Sequence, residues 1–130
     1  MPVLDLVSGH QEVILIVEDD AAMREALIGA VESLNYRALT ARDGQAALAI
    51  LDDHAADIDL ILSDLVMPEM GGQALLRELK HRGLKIPLVI LTGHPMDQEL
   101  SDLKAQGLAG WLRKPLDLDQ LAQILAQALR

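Results

Sequence analysis

The segment LILSDLVMPEMGG, residues 60–72, decides the fold of this chain and raises the question of what Asp64 does. Three apolar residues and a serine precede the aspartate, and a proline and two glycines follow it closely. A short apolar run bounded by turn residues is typical of a strand that is buried on both faces of a sheet. Asp64 is therefore predicted at the end of a buried strand.

The same strand-then-helix pattern extends in both directions from this segment. Strands are predicted at 13–17, 36–40, 60–63, 87–92 and 110–113. Helices are predicted from about residue 21 to a stop at Asn35, at 44–54, at 72–81, at about 95–106, and from Asp117 onward. Strands and helices in strict alternation indicate a parallel α/β sheet with helices on both faces, because parallel neighbours need right-handed crossovers. Ligands of such sheets bind beyond the carboxyl ends of the strands.

Composition and charge narrow the class of protein. A chain of 130 residues with 51% hydrophobic residues can bury the core of a single domain, and no cysteine is present for a disulfide or a thiolate metal site. The formal net charge of -9 opposes direct nucleic acid binding unless a basic patch is segregated, and we expect none. Without a long apolar run or a basic signal region, we expect a cytoplasmic protein with no membrane insertion.

Polar side chains follow several of the predicted strands at their carboxyl ends. They are Glu18, Asp19, Asp20, Asp64, Thr92 and Lys114. Any one of them alone is better explained as a helix cap or a solvated surface residue. Together they need another explanation, because two carboxylates about 4 Å apart repel by roughly 4 kcal/mol at an effective dielectric constant of 20. A divalent cation would offset that cost, and oxygen ligands favour Mg²⁺, with Mn²⁺ as the alternative.

Four motifs at these strand ends resemble the receiver domains of two-component response regulators. The motifs are ILIVEDDAAMR, LILSDLVMPEMGG, VILTG and GWLRKPL, in that order along the chain. The resemblance implies a flavodoxin-like (CheY-like) doubly wound sheet of five parallel strands in the order 2-1-3-4-5, with five helices. It also implies a receiver domain at 12–130 after a flexible lead at 1–11.

The resemblance also implies the chemistry of Asp64, which would be the phosphoacceptor that attacks a phosphohistidine on a partner kinase. Mg²⁺ would bind Asp19 directly, Glu18 through water, a carboxylate oxygen of Asp64, and the backbone carbonyl of Val66. Thr92 would act as the switch hydroxyl that moves toward the phosphoryl group.

The remaining family positions concern the cation, the aromatic switch and the loops. Lys114 would pair with Asp64 before transfer and with the phosphoryl group afterwards, and Pro115 would follow it, often through a cis bond. Trp111 occupies the aromatic switch position. Pro68 shapes the loop after the phosphoacceptor, and Gly72 begins the next helix with little steric demand.

Gly71 departs from the family pattern, which usually has aspartate there. A helix that lacks this N-cap loses about 1 kcal/mol of capping, so we expect a more mobile loop at its start.

The sequence therefore predicts a phosphorylatable signalling switch and not an enzyme in its own right. Its partners would be a histidine kinase or a histidine phosphotransfer domain, and an unknown downstream protein that reads the surface of the fourth helix, fifth strand and fifth helix. The alternative from another class is a Mg²⁺-dependent phosphohydrolase that uses Asp64 as nucleophile. A degenerate receiver with a purely structural role is a third reading. Whether the chain is a standalone regulator or a receiver excised from a hybrid histidine kinase stays open.

Overall fold

The structure is a computed structural model that describes residues 9–67, 70–93 and 97–129, with only the backbone described at 97–100. The predicted positions at 1–8 of the lead, at Pro68 and at 94–96 lie outside the described residues.

The described chain alternates strands and helices as the sequence predicts. The strands are β1 (Val13–Val17), β2 (Arg37–Ala41), β3 (Leu60–Asp64), β4 (Leu88–Thr92) and β5 (Gly110–Arg113). The helices are α1 (Ala21–Ser33), α2 (Gly44–His54), α3 (Gly72–His81), α4 (Asp97–Ala105) and α5 (Leu118–Ala128). A short 3₁₀ helix at Ala55–Asp57, which was not predicted, follows α2. No helix of the described chain is long and apolar enough to cross a bilayer.

The five strands form one parallel sheet in the order β2-β1-β3-β4-β5. This confirms the predicted flavodoxin-like fold. The order reverses direction at β1, so the carboxyl ends of β1 and β3 lie side by side at the switch point of the sheet. The residues after these two strands therefore meet at one edge.

Two apolar layers hold the helices against the sheet. Side chains of β1 alternate between them, with Leu15 and Val17 in one layer and Ile14 and Ile16 in the other. The first layer packs against α2, α3 and α4, and the second packs against α1 and α5. Because β1 and β3 are buried on both faces, their polar residues lie at the carboxyl ends of the strands, and the carboxylates of the candidate site meet there.

The predicted element boundaries agree with the structure to within two residues over the described chain. Helices α2 and α3 begin and end where the sequence predicts. Strand β2 begins one residue later than predicted, because the Tyr36 N–H donates to the Val31 carbonyl and still belongs to the end of α1. Asn35, with φ of 70°, ends that helix as predicted.

The described residues of the N-terminal lead, 9–11, contact the C-terminal end of α1. Gly9 and Gln11 donate backbone hydrogen bonds to the carbonyls of Leu34 and Asn35. A side chain at position 9 would overlap the ring of Tyr36, since an added Cβ would lie 2.3 Å from the ring. Glycine at this position therefore lets the backbone of residue 9 lie against the ring of Tyr36.

Candidate functional site

Three carboxylates converge at the switch point of the sheet. Glu18 and Asp19 follow β1, Asp64 ends β3, and ligand oxygens of all three lie within 4.8 Å of one another. Strand pairing explains the convergence, because Val17 of β1 lies in register with Ser63 of β3. The spacing agrees with the sequence-based expectation of carboxylates close enough to repel.

Glu18 is the most deeply buried of the three, at 1% exposure. Its Oε2 accepts a hydrogen bond from the Asp20 N–H at 3.2 Å, while Oε1 is buried and accepts none from the described residues. Burial raises the pKa of Glu18, and the charge of Asp64 raises it further, against the opposing effects of the Asp20 N–H and of Lys114. A buried carboxylate oxygen without a hydrogen bond donor is suited to bind a cation.

Lys114 supplies the positive charge of the site. Its Nζ donates to Asp64 Oδ2 at 3.3 Å and lies 3.5 Å from Glu18 Oε1. Burial alone would lower the pKa of Lys114, but the charges of Asp64 and Glu18 outweigh burial and hold this pKa above its usual value. The ammonium group therefore stays charged and bridges the two carboxylates. The Lys114–Pro115 peptide bond is cis.

Thr92 and Trp111 lie on the neighbouring strands β4 and β5, and β4 pairs with the strand of Asp64. Thr92 ends β4 and is 1% exposed, and Trp111 of β5 is half-buried. Trp111 lies in register with Ile90, two residues before Thr92, so Thr92 and Trp111 face the same side of the sheet. Lys104 Nζ of α4 lies 5.5 Å from the centroid of the indole ring, within cation–π range.

The loop between β3 and α3 passes close to Asp64. A Cβ added at Gly72 would lie 3.0 Å from the Asp64 carbonyl oxygen, so a larger residue would press on the end of β3. The helix α3 has Gly71 at its N-cap with no side-chain hydrogen bond, as predicted. Val66, two residues after Asp64, has an exposed side chain. Pro68, predicted to shape this loop, lies outside the described residues.

Two further residues beside the site have structural contacts: Asp20, which the sequence places among the polar strand-end residues without a family role, and Arg24, which was not predicted. Asp20 caps α1 by accepting a hydrogen bond from the Met23 N–H. Arg24, one turn later, donates from its guanidinium to the Glu18 carbonyl at 3.0 Å and so fixes the acidic turn. The sequence signal for Asp20 is its place directly before the first residue of the helix, whereas no local pattern signals the contact of Arg24.

A sequence model described as the response regulator receiver domain matches residues 14–126. The chain belongs to this family. Curated relatives of the receiver domain include the sensor kinase CckA of Brucella abortus, 36% identical over 116 residues, which are 89% of this chain and 12% of that protein. The DNA-binding transcriptional regulator NtrC of Salmonella typhimurium is 32% identical over 118 residues, 90% of this chain and 24% of that protein.

Solved structures show the same fold. The signal receiver domain of a signal transduction histidine kinase from Syntrophus aciditrophicus has a TM-score of 0.79 and 33% identity, over 91% of this chain and 89% of that chain. The chemotaxis response regulator CheY4 of Vibrio cholerae has a TM-score of 0.82 and 28% identity, over 92% of this chain and 99% of that chain. The receiver domain thus spans a quarter or less of the curated relatives named above but nearly all of these solved chains.

Proposed function

We propose that this receiver domain accepts a phosphoryl group on Asp64 in a Mg²⁺-dependent reaction and so switches its affinity for a partner. One observation carries the proposal. Asp64 shares a site with two further carboxylates within 4.8 Å and with a lysine ammonium 3.3 Å from its Oδ2. A carboxylate between a cation site and a fixed ammonium is suited to attack a phosphoryl group without repelling it.

The donor is a phosphohistidine of a histidine kinase or of a histidine phosphotransfer domain. A carboxylate oxygen of Asp64 forms a bond to phosphorus while the phosphorus–nitrogen bond breaks. The imidazole leaves with that electron pair and takes up a proton from water, and the product is an acyl phosphate. Lys114 keeps its positive charge throughout and pairs with the phosphoryl oxygens once the bond has formed.

Glu18, Asp19, Asp64 and the Val66 carbonyl would hold the Mg²⁺ ion. The residues fit a hard divalent cation, because their donors are oxygens and the buried Oε1 of Glu18 has no hydrogen bond donor among the described residues. When bound, Mg²⁺ neutralises the charge that builds up on the phosphoryl oxygens. Mn²⁺ satisfies the same donor set.

Output would follow from Thr92 and Trp111. Thr92 moves to donate a hydrogen bond to the phosphoryl group, because a bond to a charged acceptor is stronger than a neutral one. Trp111, on the same side of the sheet, then shifts toward the space that Thr92 leaves. The surface formed by α4, β5 and α5 changes with it, and a downstream protein reads that surface.

The family supports a signalling role over the phosphohydrolase alternative. The related kinase and transcriptional regulator contain receiver-like segments within much longer chains. We accordingly propose a receiver unit at 12–130 that works with a histidine kinase, either as a separate protein or as part of one.

Labelling with a phosphodonor tests the assignment of Asp64. We expect the wild type to become phosphorylated by acetyl phosphate only with Mg²⁺ present, and Asp64→Asn to remain unlabelled. Phosphate-affinity gels and the base lability of the product measure this. Asp53→Asn is the matched control, because Asp53 is an exposed aspartate of α2 and its loss changes the net charge equally. Base-labile label on Asp64→Asn at the wild-type level would refute the proposal.

A further inference from the structure

A basic patch lies at the C-terminal end of α3, on a chain that is otherwise acidic. The expectation that the chain has no segregated basic residues is wrong here. Residues 77–85 contain four of the eleven Lys and Arg residues and one of the twenty acidic residues, a net charge of +3. The rest of the chain therefore carries -12, which is -9 less +3.

The basic patch consists of Arg77, Lys80, His81 and Lys85, all of which are exposed. Among the described residues, none of these four takes part in an ion pair. The one acidic residue of the segment is Glu78, which already accepts a hydrogen bond from Arg82 at 3.1 Å. The positive charge of the patch is thus left without a partner inside the described protein.

Stabilisation of the α3 helix dipole explains only part of the positive charge of the basic patch. Lys80 and His81 lie in the last turn of α3, where cations stabilise the helix dipole. Arg77 lies one turn earlier, and Lys85 lies beyond the helix, so neither contributes in this way. Arg77 also lies three and four residues before Lys80 and His81, where like charges destabilise a helix.

The patch borders an open groove between two helices. Arg77, Glu78, Lys80 and His81 line it on the side of α3, and Gln106, just after α4, lines the other side. The amide of Gln106 can both donate and accept hydrogen bonds with a peptide backbone. Arg82 shows how this turn binds carboxylates, because its Nη1 donates to Asp52 of α2 at 2.6 Å.

We propose that the basic patch docks an acidic segment of a partner protein. Charge complementarity selects the occupant, since residues 77–85 carry a net charge of +3 while the rest of the chain carries -12 and repels acidic chains on average. The patch is too short for a nucleic acid strand, because a long polyanion would extend over the surrounding acidic surface. The docking surface lies away from Asp64 and does not depend on its phosphorylation.

An acidic peptide titrated into the ¹⁵N-labelled full chain tests the docking surface. The probe is an oligoglutamate of about five residues, which at about 3.3 Å per residue spans about 16 Å and so stays on the patch. We expect amide shifts to cluster at 77–85 and Gln106. The double variant Arg77→Gln, Lys80→Gln should bind at least about fivefold more weakly and show a smaller dependence on salt.

The matched control is the double variant Arg37→Gln, Arg42→Gln, which removes two exposed charges from elsewhere on the surface. It should bind the peptide as the wild type does. If both double variants bind the peptide equally weakly, the effect comes from net charge alone and the proposal is overturned. Amide shifts centred outside the patch would also overturn it. Tighter binding of a single-stranded oligonucleotide at the same residues would also overturn it, by assigning the patch to nucleic acid.

Discussion

At the scale of single residues, the site is balanced by one lysine. Glu18 and Asp64 both contact Lys114 Nζ, at 3.5 and 3.3 Å, so the ammonium offsets a repulsion that would otherwise destabilise the fold. The same contacts mean that Lys114 competes with any cation for these carboxylates. Lys114 should therefore weaken the binding of Mg²⁺ while it favours the attack of Asp64 on a phosphoryl group.

Replacing Lys114 with glutamine should therefore tighten Mg²⁺ binding and slow phosphorylation. Without the ammonium, the carboxylates repel more strongly and gain more from a divalent cation, so we expect a severalfold lower Kd for Mg²⁺. The phosphoryl oxygens lose their cation, so labelling by acetyl phosphate should slow by at least about tenfold. Calorimetry and a labelling time course measure the two effects.

Lys85→Gln is the control for this variant, because it removes an exposed charge away from the site. Both its Mg²⁺ affinity and its labelling rate should match the wild type. Weaker Mg²⁺ binding by Lys114→Gln would contradict the competition that the geometry indicates.

At the scale of elements, the start of α3 lacks a side-chain cap, but its geometry also leaves no room for a capping side chain. The sequence predicts that Gly71 forgoes the capping that an aspartate would supply, and the helix indeed has no side-chain cap there. However, a Cβ at position 71 would lie 2.3 Å from the Leu65 carbonyl oxygen. Contacts this short do not occur in folded proteins, so any side chain at this position must displace the loop.

We therefore expect Gly71→Asp to lower the free energy of unfolding by about 1–3 kcal/mol, although aspartate is a good N-cap. Urea denaturation measures the change. Gly29→Ala is the matched control, because Gly29 lies inside α1 and an added Cβ there would meet no atom within 4 Å beyond the neighbouring residues and backbone of its own helix. That variant should gain about 0.5–1 kcal/mol from helix propensity. A more stable Gly71→Asp would show that the loop adapts and that capping dominates.

Sequence patterns predicted the elements well because their signals are local. Helix α2 begins after Asp43, which caps it by accepting from the Ala46 N–H, and the apolar spacing fixes the length of the helix. The contact between position 71 and Leu65 depends on how the loop folds back, which no local pattern encodes. The deep burial of Glu18 likewise depends on strands that are distant in sequence.

The basic patch was missed for a different reason. Its residues are adjacent in sequence, but net charge was judged over the whole chain, and four cations disappear in a total of -9. The structure shows that Arg77, Lys80 and His81 line one groove with Gln106, which is far away in sequence.

At the scale of the whole molecule, the proposed phosphorylation of Asp64 at one edge of the sheet would have to change another surface that a partner binds. Thr92 of β4 and Trp111 of β5 connect these places, because they face the same side of the sheet on neighbouring strands. Lys104 of α4 lies over the indole, so a shift of Trp111 also changes its contact with α4. Of the two residues, Trp111 can be followed by its own fluorescence.

Trp111 is the only tryptophan of the chain, so its fluorescence measures this shift directly. Adding beryllofluoride, which mimics a phosphoryl group on Asp64, with Mg²⁺ should change the emission of the wild type, because the indole moves away from the Lys104 ammonium. In Thr92→Ala the change should be much smaller, since no hydroxyl is present to follow the phosphoryl mimic and make room. As a control, ¹⁹F NMR should show that the wild type and Thr92→Ala bind beryllofluoride equally. If both bind it and neither spectrum departs from the Mg²⁺ baseline, Trp111 does not carry the signal.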